Sequence, residues 1–226
     1  MKRSVLKAPK GDFGKLLYSR RSFVASVYSL LAFQVAITAI VSYFLRQHQK
    51  TNEIVQKYLI LWVIISFGLI ITLALVDMHP LLKLCVLSMF SFTIGLNCIA
   101  ASKQVSEQVI KAALVATFGI FVGMTTIGLF LLSIGVSLNF LRYVLFAGLL
   151  GLLVALLTMI FIPVSNTMHK IVLGFGITLF SVYVAYDTNA MIQPGYGGDA
   201  IDASVRLYLD VLNIFTEIWR YGTDVW

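Results

Sequence analysis

The sequence predicts an all-α membrane protein, a bundle of seven transmembrane helices. Three observations carry that expectation. Hydrophobic residues make up 59% of the 226-residue chain and charged residues only 12%, against about 45–50% and about 25% in a soluble domain. The apolar residues fall into seven runs near the length that a bilayer requires, about 20 residues each. The breaks between runs are too short to fold as separate domains. Disorder is excluded by the same composition, since it needs low hydrophobicity and high charge.

The runs cover residues 23–45, 58–76, 81–101, 112–132, 143–162, 171–192 and 205–221. The first is longer than the core of a secretory signal and is not followed by a small-residue cleavage site, so it is expected to remain as a helix. Residues 46–57 are polar and read as the first break. A turn holding Asp77 and Pro80 separates the second and third runs, and residues 102–111 are polar again. Residues 193–199, Gln-Pro-Gly-Tyr-Gly-Gly-Asp, form the most flexible break because proline and glycine punctuate it. The seventh run is read as a full span or as a re-entrant segment. The expected organisation is a basic tail at 1–22 and a single helical domain at 23–226.

Lysine and arginine set the orientation. The tail holds Lys2, Arg3, Lys7, Lys10, Lys15, Arg20 and Arg21 against Asp12 alone, which places the N-terminus in the cytosol. The net charge of +7 therefore reads as a topology signal and a grip on anionic membrane lipid. Nucleic acid is not an expected partner, because no basic stripe with interleaved aromatics is present. Cys85 and Cys98 read as small buried hydrophobes, and His48, His79 and His169 lack metal-ligand spacing. No cofactor is expected. Gly119 with Gly123, and Gly148 with Gly151, read as close-packing positions. Trp62, Trp219 and Trp226 read as interface anchors.

Ionisable residues within a membrane are costly, so each is a functional candidate. Asp187 lies in the sixth run and Asp210 in the seventh, at similar depth from the 193–199 break. Two carboxylates that meet share a proton and titrate as a pair. They also form a site for a hard cation with oxygen ligands, such as a transient calcium ion. In the seventh run Arg206, Asp210, Asn213, Glu217, Arg220 and Asp224 recur every three or four residues, on one helix face. That stripe either lines a wet cavity, as part of an ion pathway through Arg206, Asn213, Glu217 and Arg220, or faces water on an interfacial helix. Asp77, His79 and Lys83 ring the second turn. They read as exposed loop charge or, where one of them reaches the aspartates from the same side, as latch partners.

Tyr186-Asp187-Thr188, followed by Asp202-Ala203-Ser204-Val205-Arg206-Leu207-Tyr208-Leu209-Asp210-Val211-Leu212-Asn213-Ile214-Phe215, resembles the signature of the transmembrane Bax-inhibitor motif family. Arg21, Phe23, Val24, Val27, Tyr28, Leu31, Gln34 and Thr38 resemble its opening helix, and His79-Pro80-Leu81 a turn in its Golgi branch. The resemblance implies a seven-helix bundle with the last helix near its centre. It further implies a calcium leak from the endoplasmic reticulum or Golgi, inhibition of apoptosis, apoptosis-regulating membrane proteins as partners, and a pH-sensing role for Asp187 and Asp210. Glu217 and Arg220 depart from it, standing where that family is usually apolar or uncharged.

Two other classes compete. One is a non-conducting interaction protein that regulates apoptosis or channels. The other is an intramembrane aspartyl protease, which also pairs a Tyr-Asp motif with a second aspartate. Its second aspartate follows Gly-x-Gly, whereas Leu207-Tyr208-Leu209 precedes Asp210, so the close backbone approach that glycine permits is missing. The chain is expected not to be an enzyme.

Overall fold

The structure is a computed structural model, and it describes residues 13–101 and 105–223. All regular structure among the described residues is helical: α1 (Phe13–Arg46), α2 (Gln49–Lys57), α3 (Leu59–Leu75), α4 (Pro80–Ala101), α5 (Glu107–Ser133), α6 (Arg142–Phe161), α7 (Asn166–Ile192) and α8 (Ala200–Thr223), with a 3-10 turn at Leu138–Leu141. The seven expected runs coincide with α1, α3, α4, α5, α6, α7 and α8. Two boundaries differ. α1 begins inside the expected basic tail, and its 34 residues span about 51 Å at 1.5 Å per residue, more than the roughly 30 Å hydrocarbon core. The polar stretch read as the first break holds a further helix, α2, whose Val55 is buried. The tail residues 1–12 lie outside the described residues, as do Lys103, Asp224 and Trp226.

Among the described residues five helices are long and apolar enough to cross a membrane: α1, α4, α5, α6 with the turn before it, and α7. α2 and α3 qualify only as a pair, bent by 72° at their junction, and raise the number to six. α8 has the length, at 24 residues, but Arg206, Asp210, Glu217 and Arg220 make it too charged to count on composition. The chain is thus an integral multi-pass membrane protein with five to six such spans, where the sequence predicts seven. Large apolar side chains face outward along these helices, among them Phe118, Phe130, Val154, Ile160 and Phe161. A surface of that kind needs lipid to cover it.

Helix ends follow local chemistry. Ser106 and Ser165 cap α5 and α7 by accepting from the N–H groups of Val109 and Met168. Pro80 opens α4, where its missing N–H costs nothing. α5 closes on Gly135 at φ 81°, with the Val136 N–H donating to the Leu131 carbonyl and the Gly135 N–H to the Leu132 carbonyl. That is a Schellman closure, which favours glycine at its left-handed position.

Contacts divide the chain into two compact units. The first comprises residues 1–24, 106–197 and 209–226, and so holds α5, α6, α7 and the later part of α8. Its core gathers Leu145, Leu152, Leu179, Phe180, Val184 and Ile214. α5 and α7 form its most extensive pair. Gly128 is the reason they approach so closely, since a Cβ there would stand 2.5 Å from the Ala185 carbonyl oxygen. The glycines singled out from sequence behave otherwise. A Cβ on Gly119, Gly123 or Gly151 would meet nothing within 4 Å, and only Gly148 is crowded, by Leu179.

The second unit comprises residues 25–105 and 198–208, with most of α1, α2, α3, α4 and the first turns of α8. Its helices are joined by buried polar groups as well as by the apolar cluster of Val41, Val55, Leu96 and Ile99. Gln34 donates to Ser204 Oγ, the Thr38 and Tyr208 hydroxyls meet at 2.6 Å, and Ser42 donates to the Gly95 carbonyl. These positions step along one face of α1, each crossing to a neighbour, as polar groups do when they join membrane helices. One reading from sequence is corrected: Cys85 is exposed rather than buried. Trp219 is buried within the protein.

Candidate functional site

The C-terminal third of α7 is the most firmly held segment of the first unit. Asn189 is fully buried. Its Oδ1 accepts from the Leu138 N–H at 3.1 Å and from Gln193 Nε2 at 2.6 Å. Its Nδ2 donates to the carbonyls of Gly128 and Val136, both at 3.1 Å. The amide therefore uses its full hydrogen-bonding capacity. Gln193 Oε1 in turn accepts from Ser137 Oγ and Asn139 Nδ2, and its carbonyl accepts from Arg20. The clamp ties the end of α7 to the end of α5 and to the turn after it.

Asp187 lies two residues before Asn189 and is half-buried, while Asp210 on α8 is buried. Both carboxylates come within electrostatic reach of the Tyr183 hydroxyl, Asp210 acting on it more strongly than Asp187. Tyr183 and Tyr186 stand edge to face, with ring centroids 6.5 Å apart. The fold thus brings the two predicted aspartates to one tyrosine within the first unit. Among the described residues no group of three or more His, Cys, Asp or Glu could hold a metal. Two carboxylates supply fewer oxygens than the six to eight that calcium takes.

The stripe on α8 divides along its length. Asp210 and Glu217 are each 5% exposed, Asn213 is half-buried, and Arg206 and Arg220 are exposed. The interfacial alternative, with the whole polar face to water, does not describe a helix whose central carboxylates are buried. Long arginine side chains carry their charge outward from such a helix. Glu217 rests on α7 at Gly176, where a Cβ would lie 3.2 Å from its Cγ and Cδ.

The second turn resolves into one engaged residue and two exposed ones. Asp77 and His79 are exposed, and His79 Nδ1 accepts from the Leu81 N–H of its own turn. Lys83 donates to Asp199 Oδ2 at 2.7 Å and to Asp202 Oδ1 at 2.6 Å. Those aspartates also exchange hydrogen bonds with each other's backbone N–H at the start of α8, a reciprocal cap. Burial pushes the Asp199 carboxyl up, but hydrogen bonds from Lys83 and from the Asp202 and Ile201 N–H groups, with the Lys83 charge, hold it below the usual carboxylate range. The sequence reading passed over this cluster, although Asp-x-x-Asp before an apolar run is a signal for a helix start.

Comparison with known proteins places the chain in a family. Residues 20–221 match the family described as "Inhibitor of apoptosis-promoting Bax1". The chain is 28% identical to "BI1-like protein" of Arabidopsis thaliana over 208 residues, covering 89% of this chain and 80% of that one. It is 31% identical to "Protein LIFEGUARD 1" of the same plant over 210 residues, covering 88% and 87%. It is 26% identical to "Protein lifeguard 4" of Mus musculus over 211 residues, covering 91% and 86%. With a match running from the first helix to the last, this chain belongs to the Bax-inhibitor family, whose members are named as inhibitors of apoptosis-promoting Bax1.

Proposed function

We propose that the chain is a pH-sensitive cation leak, carrying calcium across an internal membrane of the endoplasmic reticulum or Golgi, and that it thereby restrains apoptosis. The observation that supports the reading is that Asp187 on α7 and the buried Asp210 on α8, both in the first unit, lie within electrostatic reach of Tyr183. In this reading α8 is the seventh membrane-embedded segment, kept there by the protein around its buried carboxylates and not by its own hydropathy. Asp187 and Asp210 form the proton-sharing gate and a passing calcium site. Asn213 and Glu217 continue the path along α8, with Arg206 and Arg220 at its two ends. The basic tail holds the N-terminus in the cytosol. The family description and the relatives named for Bax inhibition support the apoptotic role.

Calcium efflux from proteoliposomes, followed as pH is varied, tests the reading. Efflux that depends on pH in the native chain and loses that dependence in Asp187→Asn and Asp210→Asn supports it. Absence of efflux at every pH, with the protein folded and inserted, would instead favour a non-conducting regulator acting through apoptosis-regulating membrane proteins.

A further inference from the structure

We propose that Glu217 is a second proton-binding carboxylate, held between α8 and α7 in the first unit and exchanging protons with the membrane face where His169 and Arg220 lie. The inference rests on the leak reading for its consequence, but the protonation itself does not require flux.

Glu217 is nine-tenths buried and more, and its Oε2 has no hydrogen-bond partner among the described residues. Its carboxyl lies against the bare backbone at Gly176, with Oε1 3.4 Å from where a Cβ would be. A side chain at 176 would displace it, so the glycine makes the seat. An ionised carboxylate with an unpaired oxygen in such a place is costly, and a group there neutralises by binding a proton.

The surrounding register aligns Glu217 with the aspartates and with His169. On α7, His169, Gly176 and Tyr183 recur every seven residues and share a face; on α8, Asp210 and Glu217 do the same. Asp210 reaches Tyr183, Glu217 touches Gly176, and His169 lies within electrostatic reach of Glu217. The two rows thus run together from the aspartates to the first turn of α7. Arg220 on α8 is the stronger of the two charged or titratable groups that reach Glu217, and His169 on α7 is the other. The Arg220 guanidinium offers the ionised form a counter-charge.

α5 contributes a further polar group at the same level. Gly128 meets Ala185, and Val136 meets Asn189, so α5 and α7 run parallel. Eleven residues before Gly128 is Thr117, and eleven before Ala185 is Gly174, two residues from the Glu217 seat. Thr117 is buried, and its hydroxyl has no hydrogen-bond partner among the described residues. A proton on Glu217 has a hydroxyl at its own level.

Infrared difference spectra of the full chain in proteoliposomes, taken between alkaline and acid pH, test the proposal. The expected result is a carbonyl-stretch band of a protonated carboxyl that is lost in Glu217→Gln and retained in the Asp187→Asn/Asp210→Asn double variant. A band set that Glu217→Gln leaves unchanged overturns it. Should that variant fail to fold, Gly176→Ala decides: a shift in the pH midpoint of the band supports the seat, and an unmoved midpoint overturns it. A band that behaves as expected in vesicles without calcium efflux would sink the leak reading alone.

Discussion

Gly128 of α5 and Ala185 of α7 are in backbone contact, so that a methyl group at 128 would stand 2.5 Å from the Ala185 carbonyl oxygen and 3.2 Å from its carbonyl carbon. Rigid backbone on the far side leaves nothing to give way. Gly128→Ala is therefore expected to force the helices apart and to destabilise the first unit by about 1–3 kcal/mol, the usual cost of overpacking. Gly119→Ala on the same helix meets nothing within 4 Å and is expected to be neutral or slightly stabilising, since alanine favours helix. Thermal unfolding of the two variants in detergent checks the contrast.

Asn189 carries the next prediction. Asn189→Leu leaves the Leu138 N–H and the Gly128 and Val136 carbonyls without the amide that now serves them. The Leu138 N–H is left buried without a partner, at about 1–3 kcal/mol, the Gly128 carbonyl keeps its bond within α5, and Gln193 loses a partner as well. The expected outcome is a loss comparable to that for Gly128→Ala. Faster hydrogen exchange should be confined to the end of α7 and the 134–141 turn. Exchange that rises uniformly along α5, α6 and α7 would show that the clamp has no local role.

Most of the helical plan was legible because a membrane span advertises itself by composition, and the seven runs coincide with seven of the eight helices. What the sequence hid has physical reasons. α2 is short and polar, so nothing in its hydropathy separates it from a loop. Gly128 is one glycine among sixteen, and only the neighbour that meets it distinguishes it from Gly119. The aspartates were visible because a charge in an apolar run is conspicuous. Asn189, uncharged and two residues away, was not, although its amide makes four hydrogen bonds. The i, i+3, i+4 spacing on α8 puts Arg206, Asp210, Asn213, Glu217 and Arg220 on one helix face. Spacing alone could not say that its acidic members are buried while Arg206 and Arg220 reach outward.

Lys83 ties α4 to the start of α8 through Asp199 and Asp202, and the tie has a definite pH sense. The Asp199 carboxyl is held below its ordinary range in the folded chain, so folding favours its ionised form. Its stabilising contribution is present above the ordinary carboxylate range and is lost as pH falls through the lowered folded value. The Asp199 side chain is 54% exposed, which limits this bridge to about 1 kcal/mol or less. Unfolding followed from neutral to strongly acid pH should show an acid limb that Lys83→Met weakens. Equal limbs in the two proteins would show that the bridge adds nothing.

The last prediction concerns the aspartates. If Asp187 and Asp210 share one proton, acid pH holds α7 and α8 together, and full ionisation sets like charges side by side. At an effective dielectric of about 20, two unit charges about 4 Å apart repel by about 4 kcal/mol. That energy shifts a two-state gate by roughly three orders of magnitude, at about 1.4 kcal/mol per tenfold. Ionisation both loosens the pair and attracts a cation, so the discriminating quantity is the pH response and not the flux at one pH. Asp187→Asn and Asp210→Asn should each abolish most of that response. The double variant should be little worse than either single one, since the two carboxyls act as a unit. Asn189→Leu, which loosens the end of α7 without altering a charge, should broaden or shift the transition while leaving it present. If both single aspartate variants keep the native pH profile, the sensor is elsewhere, and Glu217 on its glycine seat is the next group to test.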